Sequence, residues 1–197
     1  MRAIANLSII AKLVAVFALV LFAVCGSTFI SWRSLGTIEE ATRWRDHTYQ
    51  VLLELDRLTG SMVDRETGLR GYLVSADPAF LEPFNAGAKA YAETLGRLRT
   101  LVADNAEQQH RLDALDAAAG QWSRDVAERE IALMRDEGTR EQARRIEASG
   151  AGKSAMDSVR RIAAAMAGAE AGLLETRARG AGGAATASRF ARTAGLP

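Results

Sequence analysis

Side chains able to do chemistry are few and scattered along this chain. Gly152-Lys153-Ser154 has the ending of a phosphate-binding loop, in which backbone N–H groups cradle a phosphate and the lysine neutralises it. The earlier glycine of that pattern would fall at position 147, which is Glu147, and no strand pattern precedes it. The segment therefore reads as a glycine-softened helix start. His47 and His110 stand apart, with no cysteine or second histidine at metal-ligand spacing, so no metal site is expected. Carboxylates interleave with arginines, as in Arg124-Asp125 and Glu128-Arg129-Glu130, which is the pattern of a solvated charged face and not of an acid/base pair. No catalytic residue and no cofactor are expected, and the chain is not expected to be an enzyme.

One stretch is more specific: Asp64-Arg65-Glu66-Thr67-Gly68-Leu69-Arg70-Gly71-Tyr72-Leu73-Val74, followed by Asp77-Pro78 and Phe80-Leu81-Glu82-Pro83-Phe84. Glu66 and Arg70, four apart, share a helical face. An exposed ion pair there contributes only about 0.2–0.5 kcal/mol. Partly buried, the same pair becomes a polar layer that fixes helix register. Gly68 and Gly71 each cost about 1 kcal/mol relative to alanine inside a helix, so they are expected to permit a close helix approach. The first expectation for this stretch is a packing and register element. The second is that Arg70 or Tyr72 also lines a ligand pocket.

The elements that must position these residues are helices. Leu81, Phe84, Ala88, Tyr91, Leu95, Leu98 and Val102 step alternately by three and four, which places them on one stripe. Leu112, Leu115, Ala119, Trp122, Val126, Arg129 and Leu133 form a second stripe with Arg129 as its polar break, and Ala155, Val159, Ile162, Met166, Ala169 and Leu173 a third. Before them Leu35, Ile38, Thr42, Tyr49, Leu52, Leu55, Met62, Leu69 and Leu73 describe a longer, more polar one. Asp77 is a candidate N-cap with Pro78 at N1, and Pro83 delays regular helix until about Glu82. Asn105 with Gln108 and Thr139 with Gln142 are candidate capping boxes, and Gly138 a candidate C′ glycine of positive φ. Helices are predicted over 32–75, 79–102, 106–137 and 140–179. Short connections make them antiparallel neighbours, an up-down-up-down bundle; a helical hairpin that dimerises is the alternative.

From Leu13 to Trp32 no residue is charged, about the ~20 residues that cross a hydrocarbon core as helix. Arg2 and Lys12 precede this run, which favours a cytoplasmic amino terminus at 1–12, and Trp32 can anchor the far interface. A cleaved signal peptide is the alternative, but apolar residues continue through Phe29 and Ile30. The single cysteine, Cys25, lies inside this run and decides nothing about redox compartment. With 25 Lys+Arg against 24 Asp+Glu, the chain lacks the basic excess of a nucleic-acid binder. Low aromatic content (6%) and only 3 prolines suit long helices. Residues 180–197, rich in Gly and Ala without apolar periodicity, are expected to form a flexible tail.

The signature residues Asp64, Glu66, Thr67, Gly68, Arg70, Gly71, Tyr72, Asp77, Pro78, Leu81 and Pro83 make the chain resemble CHASE domains of the third class. These are extracytoplasmic sensory modules of bacterial chemoreceptors, histidine kinases and diguanylate cyclases. Gly150 to Asp157, Arg160-Arg161-Ile162, Glu170, Leu173-Leu174 and Arg177 are similar to the family's last helix. The resemblance spans 33–179 and implies an all-α fold: a membrane helix at 13–32 continuing into an extracytoplasmic four-helix bundle. It also implies a homodimer in the inner membrane that answers a small-molecule or protein stimulus by displacement of its first helix against its last. The segment from Asn6 to Leu13 resembles the opening of many chemoreceptors, so a methyl-accepting chemotaxis type is expected, with a kinase or cyclase sensor, or an accessory tethered protein, as alternatives. In this family a second membrane helix would follow the bundle, so the chain is expected to be truncated before it.

Overall fold

The computed structural model describes the backbone of residues 8–193, with side chains described up to 179 except at 30, 31, 33–35, 37 and 38. The side chains of Leu35 and Ile38 of the expected first stripe, and the segment 1–7, lie outside what is described. Among the described residues the fold is all-α, with six helices: α1 (Ile9–Ser75), α2 (Glu82–Leu101), α3 (Ala106–Trp122), α4 (Glu128–Met134), α5 (Arg140–Ala148) and α6 (Ala151–Thr193). A 3-10 turn, Pro78–Leu81, precedes α2, and a π turn, Ser123–Ala127, joins α3 to α4. Contacts divide the chain into two compact units, Arg45–Thr176 and the remainder.

In the unit Arg45–Thr176 the helices form four antiparallel rods. Glu54 meets Arg97 and Gly68 meets Phe84 between the first and second. Tyr91 meets Asp116 between the second and third, Gln108 meets Glu170 between the third and fourth, and Glu66 meets Arg160 between the fourth and first. In each pair the numbering runs in opposite senses along the two rods, the up-down-up-down topology expected from the short connections. Leu55, Leu58, Met62, Leu69, Leu98, Leu112, Leu115, Trp122, Met156 and Met166 are buried between the rods. Burial of that much apolar surface, at roughly 25 cal/mol per Å², is the main force holding the bundle together.

The turns follow local chemistry. Asp77 caps the 3-10 turn by accepting from the Ala79 N–H at 2.9 Å, Pro78 opens it, and α2 begins at Glu82, as the prolines predict. Ala76 ends α1 at φ 57, a left-handed conformation more often given to glycine. Asn105 accepts from the Gln108 N–H at 3.1 Å, but the Gln108 side chain does not reciprocate, because it reaches α6 instead. Thr139 does not cap α5: its hydroxyl donates to the Leu133 carbonyl at 2.6 Å. Gly138 is not a positive-φ residue either. Among the described glycines that conformation belongs to Gly150 (φ 77), which separates α5 from α6. The fourth rod is therefore two helices, and the second continues past 179 to Thr193. Helix thus covers 180–193 of the segment expected to be a tail; residues 194–197 lie outside the described residues.

Two stripes are corrected. Tyr49 (67% exposed) and Thr42 face outward, whereas Thr48, Val51, Leu58 and Arg65 face the core. Arg129 is exposed and Glu130 is buried in its place, with Met134 instead of Leu133 deepest in the core. The π turn explains the second shift: its wider turn takes up one residue more than an α-turn, so everything after it rotates by one position.

In the other unit, Ile9–Phe29 is long and apolar enough to cross a membrane, with mean hydropathy 2.7 and none of it buried. It overlaps the 13–32 expected from the sequence. Ser27 and Thr28 return their hydroxyls to the Val24 carbonyl at 2.9 Å, so neither presents an unpaired donor to hydrocarbon. The Arg177 guanidinium stacks 3.6 Å from the Trp44 ring centre, joining α6 to α1 within this unit.

Candidate sensory site in the bundle interior

Arg65 lies three residues after Met62 and four before Leu69, on the inward stripe of α1, and is only 7% exposed. Its guanidinium carbon is 5.0 Å from the Phe84 ring centre and 5.1 Å from that of Trp122. Nη2 donates to Ser123 Oγ at 2.8 Å, Nη1 meets Met62 Sδ at 3.5 Å, and Nε has no acceptor. Among the described residues no carboxylate lies within ion-pair distance of it. Burial pushes its pKa down, against the pull of Tyr91 and Glu128. The cage depends on two local devices. A Cβ at Gly87 would stand 2.6 Å from the Ser61 carbonyl oxygen and 2.8 Å from Arg65 Cγ, so only glycine lets α2 press this close to α1. The π turn starts at Ser123 and sets the hydroxyl on the guanidinium.

Beside the cage runs a chain of alternating charges across three helices. Glu147 of α5 accepts from Arg70 Nε at 2.6 Å, Arg70 Nη2 reaches Glu66 at 3.0 Å, and Glu66 accepts from Arg160 Nη2 at 3.1 Å. Arg160 and Lys153 both hold Asp157 on α6. The Glu66 side chain is 12% exposed while its arginines are about half exposed, so the middle of the chain is the part whose loss is costly. Its hydrogen bond to Glu147, opposed by burial, raises the Arg70 pKa.

At the other end of the unit the polar contacts close differently. Burial pushes the Glu54 carboxyl up, but bonds from Arg97 (2.8 Å) and Arg57 (2.6 Å) outweigh it and hold it below the usual carboxylate range. Gln108, fully buried, donates its amide to the Met166 carbonyl at 3.1 Å and to Glu170 at 2.8 Å. Gln108→Leu leaves the buried Glu170 without this donor and is expected to cost about 1–3 kcal/mol. Urea denaturation followed by circular dichroism measures it. The double variant Gln108→Leu/Glu170→Leu should recover most of the loss; recovery of none would mean the pair is not coupled.

The signature residues separate into three groups. Gly68 and Gly71 lie against the turn and start of the second rod, Glu66 lies in the charge chain, Tyr72 is in the core and Leu81 packs against it, and Pro83 is half-buried, with Glu66, Gly68 and Tyr72 buried. Arg70 links Glu147 to Glu66 in that chain and is half exposed. Asp64, Thr67, Asp77 and Pro78 are exposed. The residues that sequence reasoning missed are Arg65, Ser123 and Glu130. Arg65 carried a usable signal, since its position completes the three-four alternation. Among the described residues no cluster of three or more His, Cys, Asp or Glu could hold a metal ion.

The CHASE3 domain family matches residues 41–180, well over half of the chain. The chain belongs to the CHASE3 family. The bundle is also similar to the crystal structure of the Rhodopseudomonas palustris histidine kinase HK9 sensor domain, with TM-score 0.59 and 21% identity, covering 65% of this chain and 98% of that one. At that identity the likeness shows a shared fold alone. No curated protein matches the chain. The caged Arg65, the charge chain and the Gln108–Glu170 contact all lie inside the CHASE3 region, which is an extracytoplasmic sensory domain.

Proposed function

We propose that this chain is the membrane-anchored input part of a bacterial signal-transduction receptor of the methyl-accepting chemotaxis type. The observation that carries the reading is a CHASE3 domain over 41–180 preceded by an apolar helix, Ile9–Phe29, of membrane-crossing length. Asn6 to Leu13, with Lys12 among them, supplies the chemotaxis part and leaves the amino terminus cytoplasmic. The bundle then stands in the periplasm or extracellular space, works as a homodimer, and passes its signal by displacement of α1 against α6. Small shifts of packed helices are an established switching mode. The HK9 likeness supports a second reading, the sensor of a histidine kinase.

Two measurements test this. In a Cys25→Ser background, a cysteine placed at the exposed Ala117 should react with a membrane-impermeant maleimide on intact spheroplasts; labelling only after lysis would overturn the extracytoplasmic placement. Sequencing the transcript to its stop codon tests the output. A second span of about 20 apolar residues followed by a long helical methylation hairpin sustains the chemotaxis type. A kinase core sustains the second reading instead, and a stop codon without either output rejects both.

A further inference from the structure

Glu130 of α4 is fully buried, and neither of its carboxylate oxygens meets a hydrogen-bond donor. The other buried carboxylates are served: Glu54 by Arg97 and Arg57, Glu66 by Arg70 and Arg160, Glu170 by Gln108. Glu130 is inside because the π turn rotates α4 by one position, which sends Arg129 out to solvent. The charged groups that act on it come from two packed elements. Glu147 of α5 repels its negative form, and Arg70 of α1 attracts it. Arg70 is already committed to Glu147 and Glu66, and Arg160 of α6 to Glu66 and Asp157. On its own rod Glu128 and Arg129 are exposed.

We propose that Glu130 is a proton-binding site that couples the packing of α4 against α5 and α1 to the pH outside the cell. Protonated, the neutral carboxyl stays sealed in the core. When it releases its proton to water, the anion competes with Glu147 for Arg70, and α4 loosens from α5. No other bond forms or breaks. Burial first, and the Glu147 charge second, push the Glu130 pKa up to about 7, inside the range an extracytoplasmic domain meets. The inference goes beyond the receptor reading; the proton site itself stands without it, and only the side of the membrane that supplies the proton rests on it.

The sign follows from linkage. A carboxyl whose folded pKa lies above its unfolded value contributes stability at low pH and loses it as pH rises through the window up to the folded value. In the full chain held in detergent, the thermal midpoint should fall by roughly 4–8 °C between about pH 5 and about pH 7 and level off above. Glu130→Gln should remove that fall. All other titratable groups are common to both proteins, so the difference isolates Glu130; Glu130→Met serves if the Gln variant does not fold. Spin labels on the exposed Ala132 and Ala148 should change their separation between about pH 6 and about pH 8, where the folded carboxyl itself titrates, in the parent and hold it in the variant. An unchanged pH dependence in both variants, or a fixed label separation in the parent, would overturn the proposal.

Discussion

Trp122→Ala is expected to lower the stability of the bundle by about 3–5 kcal/mol, the usual cost of emptying a buried Trp or Phe site. Trp122 is 1% exposed and packs against Phe84, with ring centres 6.2 Å apart. Its removal does more than leave a cavity, because it strips one ring from the Arg65 cage. A desolvated cation–π contact is worth up to about 2 kcal/mol, and the guanidinium left behind keeps only Phe84, Ser123 and the Met62 sulfur. Urea denaturation by circular dichroism gives the total. A cycle with Arg65→Met separates the parts: if the cage matters, Trp122→Ala should cost measurably less where methionine already stands at 65. Equal costs in both backgrounds would reduce Trp122 to a filler of space. Trp122→Phe keeps a ring over the guanidinium and should cost less than the alanine change.

The cage also shows how far the sequence could be read. Alternation by threes and fours found the second rod and the first half of the third, because Tyr91, Leu98, Val102, Leu112, Leu115, Ala119, Trp122 and Val126 all turn inward as that period demands. It failed at Arg65 for a chemical reason: a charged residue on an apolar stripe is ordinarily a surface residue, and only the two rings and Ser123 make its burial tolerable. After Val126 it failed for a geometric one. A π turn has no sequence signature in a helical period, yet it shifts the register of all that follows, so the period places Arg129 on the core stripe where the fold has Glu130. The interior that the family signature surrounds was thus legible as architecture, while the burial of Arg65 depended on contacts with distant helices and that of Glu130 on the π turn.

The signature glycines give the second large effect, and the two are not equivalent. A Cβ on Gly68 would lie 2.8 Å from the Phe84 backbone nitrogen and 2.9 Å from the Phe80 carbonyl oxygen. Backbone cannot step aside without moving the start of α2, so Gly68→Val is expected to cost at least about 3 kcal/mol, the upper end of ordinary overpacking. At Gly71 the nearest obstacle is Phe80 Cδ1, at 2.5 Å, on a side chain that is 48% exposed and free to turn outward. Gly71→Ala should therefore change stability by less than about 1 kcal/mol, with the helix propensity of alanine offsetting the displaced ring. Gly60, on the same helix with nothing within 4 Å of its Cβ position, supplies the control: Gly60→Ala should stabilise by up to about 1 kcal/mol. Denaturant midpoints for the three variants decide the matter. If Gly68→Val unfolds no more easily than Gly71→Ala, the close approach of α1 to the turn before α2 is not what the first signature glycine provides. If the expected order holds, the Gly68 position in the signature is explained by the backbone of the second rod, and no ligand is needed to account for it.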